Sequence, residues 1–178
     1  MGHGAGSALR LVVLAAACAA AGSALAGNSG SAGIDLRTEA ADVDVGLPVY
    51  PGATPQVDDA NDKSALGFSA WAGVFGFRLA VLKLASRDGV EPVAAFYRQA
   101  LARYGTVLDC SPPRRAPSPP PAPAPADPNA LRCDGDDKAP AGTRIFKAGT
   151  KRQFRQVSIQ PVAGGTHFQL VSVNAAAD

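Results

Sequence analysis

Residues Ser64 to Ala85, SALGFSAWAGVFGFRLAVLKLA, decide the fold. Leu66, Phe68, Ala70, Ala72 and Val74 occupy the even positions of the first half, while the odd positions are mostly small or polar apart from Trp71. This period-two alternation predicts a strand with one buried face. Gly73 and Gly76 mark a turn. Phe77 to Ala85 is apolar at odd and even positions alike, as expected of a central strand, so the stretch reads as a hairpin. Immediately after it, Val93, Phe96, Tyr97, Ala100, Leu101 and Tyr104 form one apolar stripe at helical spacing, which predicts a helix over about 88–104. Asp88 suits the N-cap, with Glu91 three residues on. Pro92 in the first turn allows a start one or two residues later. Gly105 suits the position past the C-terminus, and Arg103 favours the negative end of the helix dipole. The aromatic stripe reads as core.

Working outward, Thr106 to Cys110 predicts a short strand, and Leu131 to Cys133 re-enters the body. Thr143 to Ala148, Phe154 to Pro161 and Thr166 to Asn174 predict three more strands, with Gly164-Gly165 as the last turn. Val157, Ile159, Phe168 and Leu170 are the inward candidates. Towards the N-terminus, Leu47 to Ala53 is an extended piece running into a Pro51-Gly52 type II turn, where glycine accepts the positive φ. Ile34, Leu36, Val43 and Val45 are sparse apolar anchors. There is no internal repeat. The fold class is therefore α+β, a mostly antiparallel sheet packed against one main helix, within a single domain.

The ends carry other signals. Arg10, the apolar run Leu11 to Ala21 and the small-x-small site Ala24-Leu25-Ala26 form a secretory signal, with cleavage expected before Gly27. The run is too short for a bilayer span, which takes about 20 residues. A degenerate lipobox, Ala15-Ala16-Ala17-Cys18, offers the alternative of a lipid anchor through Cys18. The expected organisation is a signal peptide over 1–26, a flexible leader over 27–46, the domain over 47–174 and a tail over 175–178. The mature chain is expected to lack a transmembrane segment and to be periplasmic or secreted.

Two cysteines remain after cleavage, Cys110 and Cys133, and an even count in an exported chain predicts a disulfide. Between them, residues 111–128 hold nine of the chain's 15 prolines. Each proline removes an N–H and fixes φ, so this stretch predicts a proline-rich disordered insertion closed at its base by the bridge.

The motifs Leu47-Pro48-Val49-Tyr50-Pro51-Gly52-Ala53, Phe96-Tyr97-Arg98 with Leu101 and Tyr104-Gly105, and Lys147-Ala148-Gly149-Thr150 resemble those of an uncharacterised family of exported bacterial proteins. The resemblance spans about residues 34–174. It implies export and a shared fold, and no activity or functional residue carries over with it. The proline tract looks like an elaboration on that pattern.

The chain has 178 residues and a formal net charge of +2, too balanced for a dedicated nucleic-acid binder. Charge is nevertheless polarised. Residues 27–63 hold seven acids against Arg37 and Lys63, whereas residues 138–178 hold six bases against Asp178. Lys147, Lys151, Arg152 and Arg155 are the candidate anion-binding residues, facing an anionic envelope component. A Ser/His/Asp site would have to use His167, the one histidine after Gly27, and no nucleophile elbow is present. Asp58, Asp59 and Asp62, and the Asp134-Gly135-Asp136-Asp137 turn, lack the spacing of a calcium loop. No phosphate-binding or dinucleotide motif occurs. Neither cofactor nor metal is expected. The function remains open: a non-catalytic envelope protein with a binding or scaffolding role leads, with a small secreted hydrolase using acidic residues or His167, or a Cys18-anchored lipoprotein, as alternatives.

Overall fold

The structure, a computed structural model, describes residues 31–112, 127–133 and 139–177. The expected signal peptide, Cys18, most of the proline tract and the Asp134–Asp137 turn lie outside these residues. Eight strands form one sheet: β1 (Ala32–Arg37), β2 (Thr54–Pro55), β3 (Ala65–Ala72), β4 (Phe75–Ser86), β5 (Leu108–Asp109), β6 (Arg144–Gly149), β7 (Gln153–Val162) and β8 (Gly165–Ala177). The single α-helix among the described residues, α1, spans Val90–Leu101 and runs on into a 3-10 turn at Ala102–Tyr104. Sheet order is β1-β3-β4-β8-β7-β6-β5, with β2 also on β4, and every pairing is antiparallel. The α+β architecture with one main helix is the one the periodicities predict.

The core lies between α1 and one face of the sheet. Cross-strand partners share a face, and the register places Leu82, Leu170, Val157 and Phe146 in one row across β4, β8, β7 and β6. Leu84, Phe168 and Ile159 form the next row. All seven are buried beneath Val93, Ala94, Tyr97 and Leu101 of the helix. The Leu47–Ala53 segment closes this core as Ala53 N–H donates to the Tyr50 carbonyl at 3.0 Å, with Gly52 at φ 75° in the turn. Tyr50 N–H then donates to the Tyr97 hydroxyl at 3.1 Å. Arg103 and the Tyr104 hydroxyl both donate to the Gly46 carbonyl, fastening the end of the helical segment to the same chain.

Four expectations are corrected. Asp88 does not cap the helix: Gly89 is the N-cap residue, with no side-chain bond, and the Asp88 carboxylate accepts from the Tyr50 hydroxyl at 2.6 Å. The described part of the presumed leader belongs to the fold, because Ala32–Arg37 pairs with β3 and Val43 and Val45 are buried. The presumed tail is strand, since Ala175–Ala177 pairs with Phe75–Phe77. The even face of β3 is not the buried one. Ala65 is 2% exposed, whereas Leu66 and Val74 are 38% and 60% exposed, because register sets Ala65 beside Leu82 in the core row and turns Leu66 to the opposite face.

The disulfide is present, joining Cys110 and Cys133 with Cα atoms 5.3 Å apart. No helix among the described residues is long and apolar enough to cross a membrane.

Candidate functional site at the end of the sheet

The four candidate anion-binding cations do not share one surface. Lys147 and Arg155 lie on paired strands, but Lys147 opposes Gln156 and Arg155 opposes Ala148. Adjacent register positions point to opposite faces, so these two side chains diverge. Lys147 is buried within the sheet at 8% exposure. Arg155 stacks on Tyr104, its guanidinium carbon 5.0 Å from the ring centroid, and its Nη1 donates to the Phe154 carbonyl at 3.2 Å. It is committed to the packing of the 3-10 turn. Lys151 and Arg152, in the turn between β6 and β7, are exposed, and neither forms an ion pair with a described residue.

The residues proposed for hydrolysis are also dispersed. His167 sits in the β8 ladder between Ala85 and Gln160, neither of which is a carboxylate or hydroxyl partner. Asp58 and Asp62 flank Lys83, while Asp59 Oδ1 accepts the N–H groups of Asn61 and Asp62 at 2.8 and 3.0 Å. The lysine and the backbone N–H groups donated to it hold the Asp62 carboxyl below the usual range. These acids complete a polar loop. Among the described residues, no cluster of His, Cys, Asp and Glu suits a metal ion.

Another concavity lies elsewhere. It is an open cleft of about 830 Å³ at the end of the sheet where β1 begins, β3 turns into β4 and β8 ends. Its walls include Ile34, Trp71, Phe75 and Phe77, with Arg152 the one charged side chain among its described lining residues. Register explains the gathering. Ile34, Ala70, Phe77 and Ala175 are successive cross-strand partners, and Ala175 N–H donates to the Arg152 carbonyl at 2.7 Å. The cation-bearing turn is thereby fixed level with the apolar walls.

α1 packs on β6 and β7 and does not reach this end. By register Trp71 shares the helix-side face but lies beyond the helix, and Ile34, Phe75 and Phe77 lie on the face the helix leaves bare, so Ile34 is 75% exposed, Phe75 65%, Val74 at the turn 60% and Trp71 42%. The Trp71 indole lies over Gly33, where a Cβ would fall 2.3 Å from the ring. Trp71 is the only tryptophan of the chain, which makes its seat easy to monitor. Gly33→Ala is expected to push the indole outward, shifting emission to longer wavelength with little effect on the melting temperature. Unchanged emission would show that another atom yields instead.

Sequence reasoning assigned none of these apolar residues to a site. The available signal was that β4 is apolar on both faces while the sequence predicts only one helix, which can cover only one of them. Comparison with protein-family models, curated proteins and solved structures gives no match.

Proposed function

We propose that the protein is a non-catalytic, exported cell-envelope protein that binds amphiphiles, with an aliphatic chain in the cleft at the end of the sheet and an anionic head group against Lys151 and Arg152. The observation that carries this reading is the lining of the cleft, aromatic and aliphatic, with an arginine at its margin that forms no ion pair with a described residue. Each methylene group buried on such walls contributes about 0.8 kcal/mol, and the guanidinium offers paired donors to a phosphate or carboxylate. Export draws on the N-terminal signal, on the disulfide and on the resemblance to exported bacterial proteins, and it places the protein where envelope lipids are the abundant amphiphiles.

Monomeric dodecyl phosphate, titrated below its micellar concentration, tests the reading through Trp71 emission. Saturable movement to shorter wavelength is expected. Phe77→Asp should weaken binding at least tenfold, which is about 1.4 kcal/mol. Arg152→Glu should weaken dodecyl phosphate but not dodecanol. Emission that does not respond, or a response indifferent to Phe77→Asp, would remove the cleft as the binding site.

A further inference from the structure

We infer that the end of the sheet docks on an anionic phospholipid bilayer, so that the amphiphiles of the cleft are met within a membrane surface rather than in solution. This rests on the reading of the cleft as an amphiphile site.

The argument starts from position. Val74 and Phe75 stand at the turn joining β3 to β4, and Ile34, Trp71 and Phe77 lie within two register steps of that turn. Five large apolar side chains, all at least 40% exposed, are therefore concentrated at one extremity of the molecule. Isolated apolar residues on a surface need no partner, but here both faces of the hairpin end are apolar, Trp71 on one and Ile34, Phe75 and Phe77 on the other, and such a concentration marks an interaction site. A protein partner is the weaker choice. A stable protein–protein interface engages about 20–30 residues a side, whereas this patch is the end of a hairpin and its immediate flanks. A projecting apolar tip suits a bilayer, whose interface accepts side chains to a depth of about 5–10 Å.

The composition is zoned as an interface requires. Trp71 is amphipathic, with an indole N–H to leave at head-group level. Arg152 lines the cleft and exposed Lys151 precedes it in the same turn, where long cationic side chains can reach phosphates while their stems lie along apolar surface. The nearby acids do not oppose this. Asp35 is paired with Arg37 at 2.8 Å, and Asp35, Asp42 and Asp44 line a separate polar pocket that also holds Arg78.

The experiment is co-sedimentation of the purified exported protein with vesicles of phosphatidylcholine, with and without phosphatidylglycerol, while Trp71 emission is recorded. Protein should sediment with the anionic vesicles and its emission move to shorter wavelength. Val74→Asp, at an exposed turn position, should cut binding at least tenfold. The pair Lys151→Glu and Arg152→Glu should cut binding to anionic vesicles by roughly tenfold or more and leave neutral vesicles unaffected. Circular dichroism identical to the parent establishes that each variant is folded. Protein that binds dodecyl phosphate yet stays in the supernatant with anionic vesicles would overturn bilayer docking and leave the cleft reading intact. Failure with both ligands would overturn both. Sedimentation unaffected by Val74→Asp, or a concentration-dependent dimer abolished by that substitution without vesicle binding, would likewise overturn docking, the latter assigning the patch to a second copy of this chain.

Discussion

Tyr97→Ala is expected to lower the unfolding free energy by about 3–5 kcal/mol, the range for removing a large aromatic from a packed core. Tyr97 is 0% exposed. Its ring packs edge-on against Phe96 with centroids 5.0 Å apart and lies 5.5 Å from Phe168 on β8. Its hydroxyl accepts the Tyr50 N–H, so one side chain joins the helix, the sheet and the Leu47–Ala53 segment. Against a total of about 5–15 kcal/mol for a domain of this kind, that loss is large enough to leave part of the population unfolded at physiological temperature. Tyr97→Phe separates the two contributions. It keeps the ring and leaves the Tyr50 N–H without its acceptor, at a cost of roughly 1–3 kcal/mol.

The same side chain gives stability a pH dependence. Burial pushes the Tyr97 phenol well above its ordinary range, although the bond from Tyr50 N–H acts in the opposite direction. The folded state therefore holds this proton more tightly than the unfolded chain does. Its contribution is fully present below about pH 10, the ordinary phenol value, and is lost as pH rises beyond it. Urea unfolding from neutral to strongly alkaline pH should show stability falling above that point, with a shallower fall in Tyr97→Phe. Equal slopes in the two proteins would assign alkaline unfolding to other groups.

How legible the fold was depended on whether a strand has one buried face. β7 and β8 do, so Val157 and Ile159, and Phe168 and Leu170, were identifiable as inward from alternation alone, and all four are buried. β1 does not. Its larger apolar side chains, Ile34 and Leu36, are 75% and 63% exposed, and its other side carries Gly33, Asp35 and Arg37. A short edge strand of this composition gives the same local pattern as a linker. Asp88 misled for a related reason. Local spacing to Glu91 suits a cap, but Tyr50, 38 positions away, takes the carboxylate.

The site was less legible because it is made by register. Nine consecutive residues, 147–155, contain four cations, and sequence proximity suggests one basic face. The tight turn between β6 and β7 separates them instead, burying Lys147, committing Arg155 to Tyr104 and leaving Lys151 and Arg152 outside. The apolar walls around the latter pair come from β1, β3 and β4, so no local window contains both halves of the candidate site.

Reducing the disulfide, or replacing both cysteines in Cys110→Ala/Cys133→Ala, is expected to lower stability by about 3 kcal/mol and the melting temperature by roughly 6–12 °C. The bridge joins cysteines 23 positions apart and so restricts the unfolded chain. Its removal should leave the fold in place, because both ends have other fastenings. Cys110 N–H donates to the Ile145 carbonyl at 2.7 Å, and Ile145 N–H donates to the Ser111 hydroxyl at 3.0 Å. On the returning side, Lys151 N–H donates to the Asn129 carbonyl at 2.8 Å, and Ala130 bridges to Thr150. The expected result is one cooperative transition at lower temperature with a native circular dichroism spectrum beforehand. An entropic origin also predicts a larger denaturant slope for the reduced protein, whose unfolded state exposes more surface. An unchanged melting temperature would show that these hydrogen bonds already hold the two flanking segments. A change without the steeper slope would place the effect in the folded state. Since Lys151 and Thr150 belong to the turn beside the cleft, loosening residues 127–133 should also weaken dodecyl phosphate binding, linking the redox state of the bridge to the candidate site.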